Sequence, residues 1–99
     1  MSNNSNEIVQ LIAQFIPKEQ RILLLKDLLE IYGSIYKTSK ITKISRPRIY
    51  SYLASDKRSY PSDNVTARLI SSLMEVKRSL VKDRLRQLSK DFTELINVI

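Results

Sequence analysis

Apolar residues recur at helical spacing along almost the whole chain, and the interruptions are few and sharply placed. Residues 1–6 are polar and aperiodic and read as a disordered tail. From Glu7 onward Ile8, Leu11, Ile12, Phe15 and Ile16 fall three and four apart, which predicts an amphipathic helix. Pro17 stops that pattern or opens the next helix, where its missing N–H costs nothing. Between Lys18 and Tyr32, one face carries Ile22, Leu25, Leu29 and Tyr32, with Leu24, Leu28 and Ile31 beside it. A stripe that broad predicts burial on more than one side. Gly33, the only glycine, follows where a left-handed cap is wanted.

Ser34 is placed to cap a short helix from Ile35 to about Thr42, with Lys43 and Ile44 as the turn. Ser45 caps the next helix, Pro47 falls in its tolerant first turn, and the helix runs to about Ala54, burying Ile49, Tyr52 and Leu53. Ser55 to Pro61 is a basic loop, with Tyr60 packed beneath it, and Ser62 or Asn64 opens the last helical region. From Thr66 to Ile99 there is neither Pro nor Gly, and two apolar seams appear. Leu69, Leu73, Val76 and Leu80 form the first. Val81, Leu85, Leu88, Phe92, Leu95 and Ile99 form the second, in alternating steps of four and three. The seams are out of phase at Leu80 and Val81, which predicts a change of partner there, or else a bend or break near Ser79.

The expected fold is therefore all-α: a compact bundle of five or six helices with a central helix–turn–helix and a long C-terminal helix. At 99 residues it is one domain. Its parts are N-terminal helices over 7–33, the helix–turn–helix over 34–55, a basic loop and core-closing helix over 56–80, and a C-terminal helix over 81–99. Composition agrees, since one Gly and three Pro are too few for a turn-rich β-sandwich, and 42% apolar residues suit a globular chain.

Without Cys or His the chain has no disulfide, no thiolate chemistry, no zinc finger and no imidazole base. Thirteen serines with no such base, and no Gly-rich phosphate loop, form no catalytic constellation, so neither catalysis nor a cofactor or metal is expected. The first residues lack the features of a signal peptide, and no apolar run nears the roughly 18 residues of a membrane span. A soluble, cytoplasmic protein is the expectation.

Charge changes the picture most. Seven of the seventeen basic residues lie between Ser34 and Ser62 against one acid there, Asp56. That window carries about +6 of the formal +7, whereas residues 1–33 come to about −1 and residues 63–99 to about +2. Positive charge gathered on a helix–turn–helix pattern is the footprint of a nucleic-acid binder.

Ile35 to Leu53 resembles the helix–turn–helix of the lambda-repressor and Cro-like family. Ile35 fills the first apolar position, Ser39 the small mid-helix position, Ile44 the apolar position after the turn, and Ile49 and Tyr52 the inward pair of the second helix. Lys57 to Ser62, reading KRSYPS, is similar to the family's basic loop and its entry to the next helix. The likeness covers about 45 residues, Leu29 to Leu73. It departs in two places: Lys43 stands where the turn usually has Gly, and Thr38 and Thr42 stand where Leu or Val is usual.

The resemblance implies that Arg46, Pro47, Tyr50 and Ser51 face base edges in a major groove, with Arg46 the foremost reader. Ser45 and the backbone amides of its helix start would grip phosphate, helped by the helix dipole. Lys43, Arg48, Lys57 and Arg58 would add salt-sensitive phosphate contacts, and Tyr36 a hydroxyl contact. Lys37 and Lys40 read as solvating the first helix. The implied partner is double-stranded DNA, with no small-molecule ligand and with the nucleoid as the place of action when bound.

For Val81, Leu85, Leu88, Phe92, Leu95 and Ile99 the favoured expectation is pairing with a second copy, as in proteins that read two-fold sites. Folding back on the Ile8 to Ile16 helix, or meeting a different protein, are the alternatives. The function expected is sequence-specific DNA binding by a homodimeric transcriptional regulator. An architectural, plasmid-maintenance or recombination DNA binder and a helical protein-interaction module are the rivals.

Overall fold

The computed structural model describes residues 2–54 and 59–99, and the side chains from residue 7 onward within them. Six helices make up the described residues: α1 (Ser2–Phe15), α2 (Lys18–Tyr32), α3 (Ile35–Thr42), α4 (Arg46–Leu53), α5 (Asp63–Val76) and α6 (Arg78–Val98). The helix expected from Glu7 begins at Ser2 instead, because extending an existing helix by one turn costs far less than nucleating it.

Local chemistry sets most of the boundaries. Gly33 takes the left-handed conformation (φ 83°), and its N–H donates to the Leu29 carbonyl at 2.8 Å, ending α2. The Ser34 hydroxyl accepts from Lys37 N–H at 3.1 Å to start α3. Ser62, not Asn64, caps α5 by accepting from Val65 N–H at 3.2 Å.

α5 is the centre of the packing and touches α1, α2, α3 and α6. Leu69, Ile70 and Leu73 of α5 meet Leu24, Leu25 and Leu28 of α2 in one core that also takes in Ile44, Ile49 and Tyr52 from the helix–turn–helix. Each fully buried aliphatic side chain of this kind stabilises the fold by about 1.5–3 kcal/mol relative to exposure.

On α1 the buried face is Val9 and Ala13, continued by Ile16 just past its end, while Ile8, Leu11 and Phe15 lie exposed and Ile12 sits between. The chain thus carries two overlapping apolar stripes. The one containing Ala13 faces inward because its small side chain lets α1 approach α5 closely.

Arg21 fastens this helix to the rest. It is buried, and its guanidinium donates to the carbonyls of Ile16 (2.8 Å), Ala13 (2.9 Å) and Pro61 (2.9 Å) and pairs with Asp63 at 2.8 Å. The carbonyls at the end of α1 lack a following helical turn, Ala13 receiving only the Ile16 N–H at 3.2 Å from the chain itself, so Arg21 supplies the further donors.

The break in the last helical region falls at Lys77 (φ −157°, ψ 73°), two residues before Ser79. Val76, expected in the core seam, is exposed beside that break. Val81, expected at an interface between copies, is instead 5% exposed within the protomer's own core, so it is not available to a second chain. Leu85 and Leu88 lean against the same core. Arg84 holds this half of α6 to α2 through two 2.8 Å bonds to Asp27, and these bonds raise the Arg84 pKa above its ordinary value. Beyond Leu88 every residue of α6 is exposed, including Phe92, Leu95 and Ile99 of the seam. The tail does not fold back on α1, since the apolar faces of both are bare.

Candidate nucleic-acid interface

α3 and α4 are joined by three residues, and side-chain hydroxyls lock the turn between them. Lys43 takes the left-handed conformation (φ 61°) that glycine would occupy without strain, and its N–H donates to the Ser39 carbonyl at 2.9 Å. The Lys43 carbonyl accepts from Arg68 of α5 at 3.2 Å. Ile44 N–H donates to the Thr42 hydroxyl at 3.3 Å, and the Ile44 carbonyl accepts from the Ser39 hydroxyl at 2.6 Å. Every peptide group of Lys43 and Ile44 therefore has a partner, which fixes the angle at which α4 leaves α3.

The two threonines that replace the usual aliphatics are part of this arrangement. Thr38 and Thr42 are buried, and their hydroxyls donate to the carbonyls four residues earlier, at 2.8 and 2.6 Å. Both polar groups are thus satisfied inside the core. Replacing Lys43 by Gly should relieve the backbone strain and raise stability by about 0.5–1 kcal/mol in urea denaturation. An unchanged or lower midpoint would contradict the strain.

α4 is inserted by Ile49 and Tyr52, which are buried, while Arg46, Pro47, Arg48 and Tyr50 are exposed and Ser51 is half-buried. Burial pushes the Tyr52 phenol above its ordinary range, so it anchors the helix as a neutral ring. Of the expected base-facing set, Arg46, Pro47 and Tyr50 stand in solvent, and Ser51 sits nearer the body. Ser45 accepts from Arg48 N–H at 3.3 Å, capping α4. Since Pro47 has no N–H and that of Arg48 is taken, the helix start leaves the Arg46 amide and the Ser45 hydroxyl proton for an anion.

One grouping was not legible in the sequence. The Arg46 guanidinium lies over the Tyr36 ring at 5.8 Å, and the Lys40 ammonium approaches the same ring at 5.8 Å. The ring steadies the arginine by about 0.5–1 kcal/mol, a typical exposed cation–π value. Tyr36 is thus a support for Arg46, and Lys40 belongs to the cationic surface. Among the described residues Arg46 and Arg48 pair with no carboxylate. Arg68, which braces the turn, is 25 positions from Lys43 and carries no local signal of that role.

Alongside α4 runs a groove of about 470 Å³ lined by Pro47, Arg48, Ser51, Tyr52, Ser59, Tyr60 and Ser62. Tyr60 closes its far side, donating to Glu19 at 2.7 Å beneath the Lys18 ammonium. Lys57 and Arg58, expected at phosphates, lie outside the described residues. Among the described residues no helix is long and apolar enough to cross a membrane. Compared with protein-family models, curated proteins and solved structures, the chain matches none.

Proposed function

We propose that this chain binds double-stranded DNA sequence-specifically, as a homodimeric transcriptional regulator in the cytoplasm. The observation that carries the reading is the outward face of α4. It presents a tyrosine and two arginines, neither paired with a carboxylate among the described residues, on a capped helix whose inclination is set by a fully hydrogen-bonded turn. Such a helix fits a major groove, with its first residues at the base edges.

In this reading Arg46 bonds the O6 and N7 of a guanine, Pro47 and Tyr50 contact neighbouring bases or sugar, and Ser51 meets the edge of the groove. Lys43, Ser45 and Arg48 lie on phosphates, and Lys57 and Arg58 carry the same role by sequence. The +6 window supplies the long-range attraction and makes affinity fall with salt, by about 0.9 in log K per log salt for each phosphate neutralised. No catalytic step and no cofactor enter.

Selection from random duplexes followed by footprinting at moderate salt tests the proposal. A discrete protected site with two-fold symmetry, its halves about 34 Å apart, is the expected result. Continuous unspecific coverage would favour an architectural binder, and absence of protection would leave a protein-interaction module.

A further inference from the structure

Two apolar stripes are left bare on the surface, and they differ in width. On α1, Ile8, Leu11 and Phe15 are each more than half exposed. At about 100° per residue they span an arc of about 60°, the width of a seam that meets one helix. At the end of α6, Phe92, Leu95, Ile96, Val98 and Ile99 are exposed from 54% to fully. They span about 160°, too wide for one partner helix to cover. The end of α6 therefore calls for two neighbouring helices, and α1 for one. Both stripes are bare in the same molecule, so a protomer does not cover its own.

We propose that two copies of this chain associate with the end of each α6 packed between the α6 and the α1 of its partner. Under two-fold symmetry the contact of α6 with its twin is shared, and the contact of α6 with α1 occurs twice. Each wide stripe then gains two neighbours, each narrow stripe gains one, and nothing is left over for a third chain, so the assembly closes. Eight large apolar side chains at these exposures offer on the order of 1,000 Å² per copy, above the roughly 800 Å² per partner that specific interfaces bury. The half of the seam already used inside the protomer, Val81 to Leu88, holds the base of α6 while its end engages the partner. This inference deepens the dimer of the proposed function and brings α1 into it; it does not depend on DNA binding.

Sedimentation of the full chain without DNA, over a roughly hundredfold dilution from the micromolar range, tests it, and a failure of the DNA reading would leave the result untouched. The expected species is a dimer. Leu95→Glu and, separately, Leu11→Glu should each raise the dissociation constant by roughly tenfold or more. Phe15→Arg provides a second variant on the α1 stripe, and circular dichroism confirms that each variant keeps its helices, as exposed positions should. A monomer throughout, open-ended polymers, or a dimer indifferent to both α1 variants would overturn the proposal.

Discussion

Arg21→Met should cost the protein about 2–5 kcal/mol, because each buried carbonyl that loses its donor costs about 1–3 kcal/mol. Methionine keeps most of the volume but leaves the carbonyls of Ile16 and Pro61 without the Arg21 donor, and Ala13 with only the Ile16 N–H at 3.2 Å. Asp63, whose side chain is more than half exposed, rehydrates and adds little. The buried carbonyls do not, and they carry most of the cost. Against the 5–15 kcal/mol of a typical domain such a loss is severe, and the urea midpoint should fall accordingly. Arg21→Lys should recover only part, because a point-like ammonium cannot reach three carbonyls and a carboxylate at once. A loss below about 1 kcal/mol would mean that α1 docks through Val9, Ala13 and Ile16 alone. The effect reaches the proposed interface, since the Pro61 carbonyl held by Arg21 anchors the far end of the chain leaving α4.

Arg46→Ala should remove about 1–3 kcal/mol of discrimination between the preferred base pair and its alternatives. Competition binding with duplexes altered one pair at a time measures it. The expected pattern is local: preference disappears at one position in each half-site, and binding to unrelated DNA changes much less. Arg46→Lys should not restore the preference, because an ammonium lacks the two-pronged edge that matches guanine. Tyr36→Leu should lower the preference partially by removing the ring that steadies the guanidinium. A loss spread evenly over all sequences would place Arg46 on a phosphate and hand the reading role to Tyr50.

These two arginines show where sequence legibility ended. Arg46 could be singled out because the resemblance that assigns it rests on residues close in the chain, from Ile35 to Leu53. Arg21 could not, because its partners at Ala13, Pro61 and Asp63 are brought together only when α1, α2 and α5 pack. The same division runs through the turn. Lys43 stood out only against the resemblance, at a turn position usually held by Gly, and Thr42 as a departure from the usual Leu or Val. In the fold the Thr42 hydroxyl receives Ile44 N–H, and the apparent defect becomes part of the lock.

Most helix positions, the caps at Gly33, Ser34 and Ser45 and the turn were legible in the sequence, because they depend on contacts between residues a few places apart. The all-α class followed from periodicity and the scarcity of breakers. The inward faces of α4 and α5 were legible, but those of α1 and α6 were decided only in three dimensions. Ile8, Leu11 and Phe15 are as apolar as Val9, Ala13 and Ile16, and only the close approach of α5 selects the second set. The seam from Val81 to Ile99 reads as continuous, yet Asp27 grips Arg84 and draws its first half into the protomer, leaving the second half in water. Burial is a property of what lies opposite a side chain, and the element opposite is fixed by packing between segments far apart in the chain.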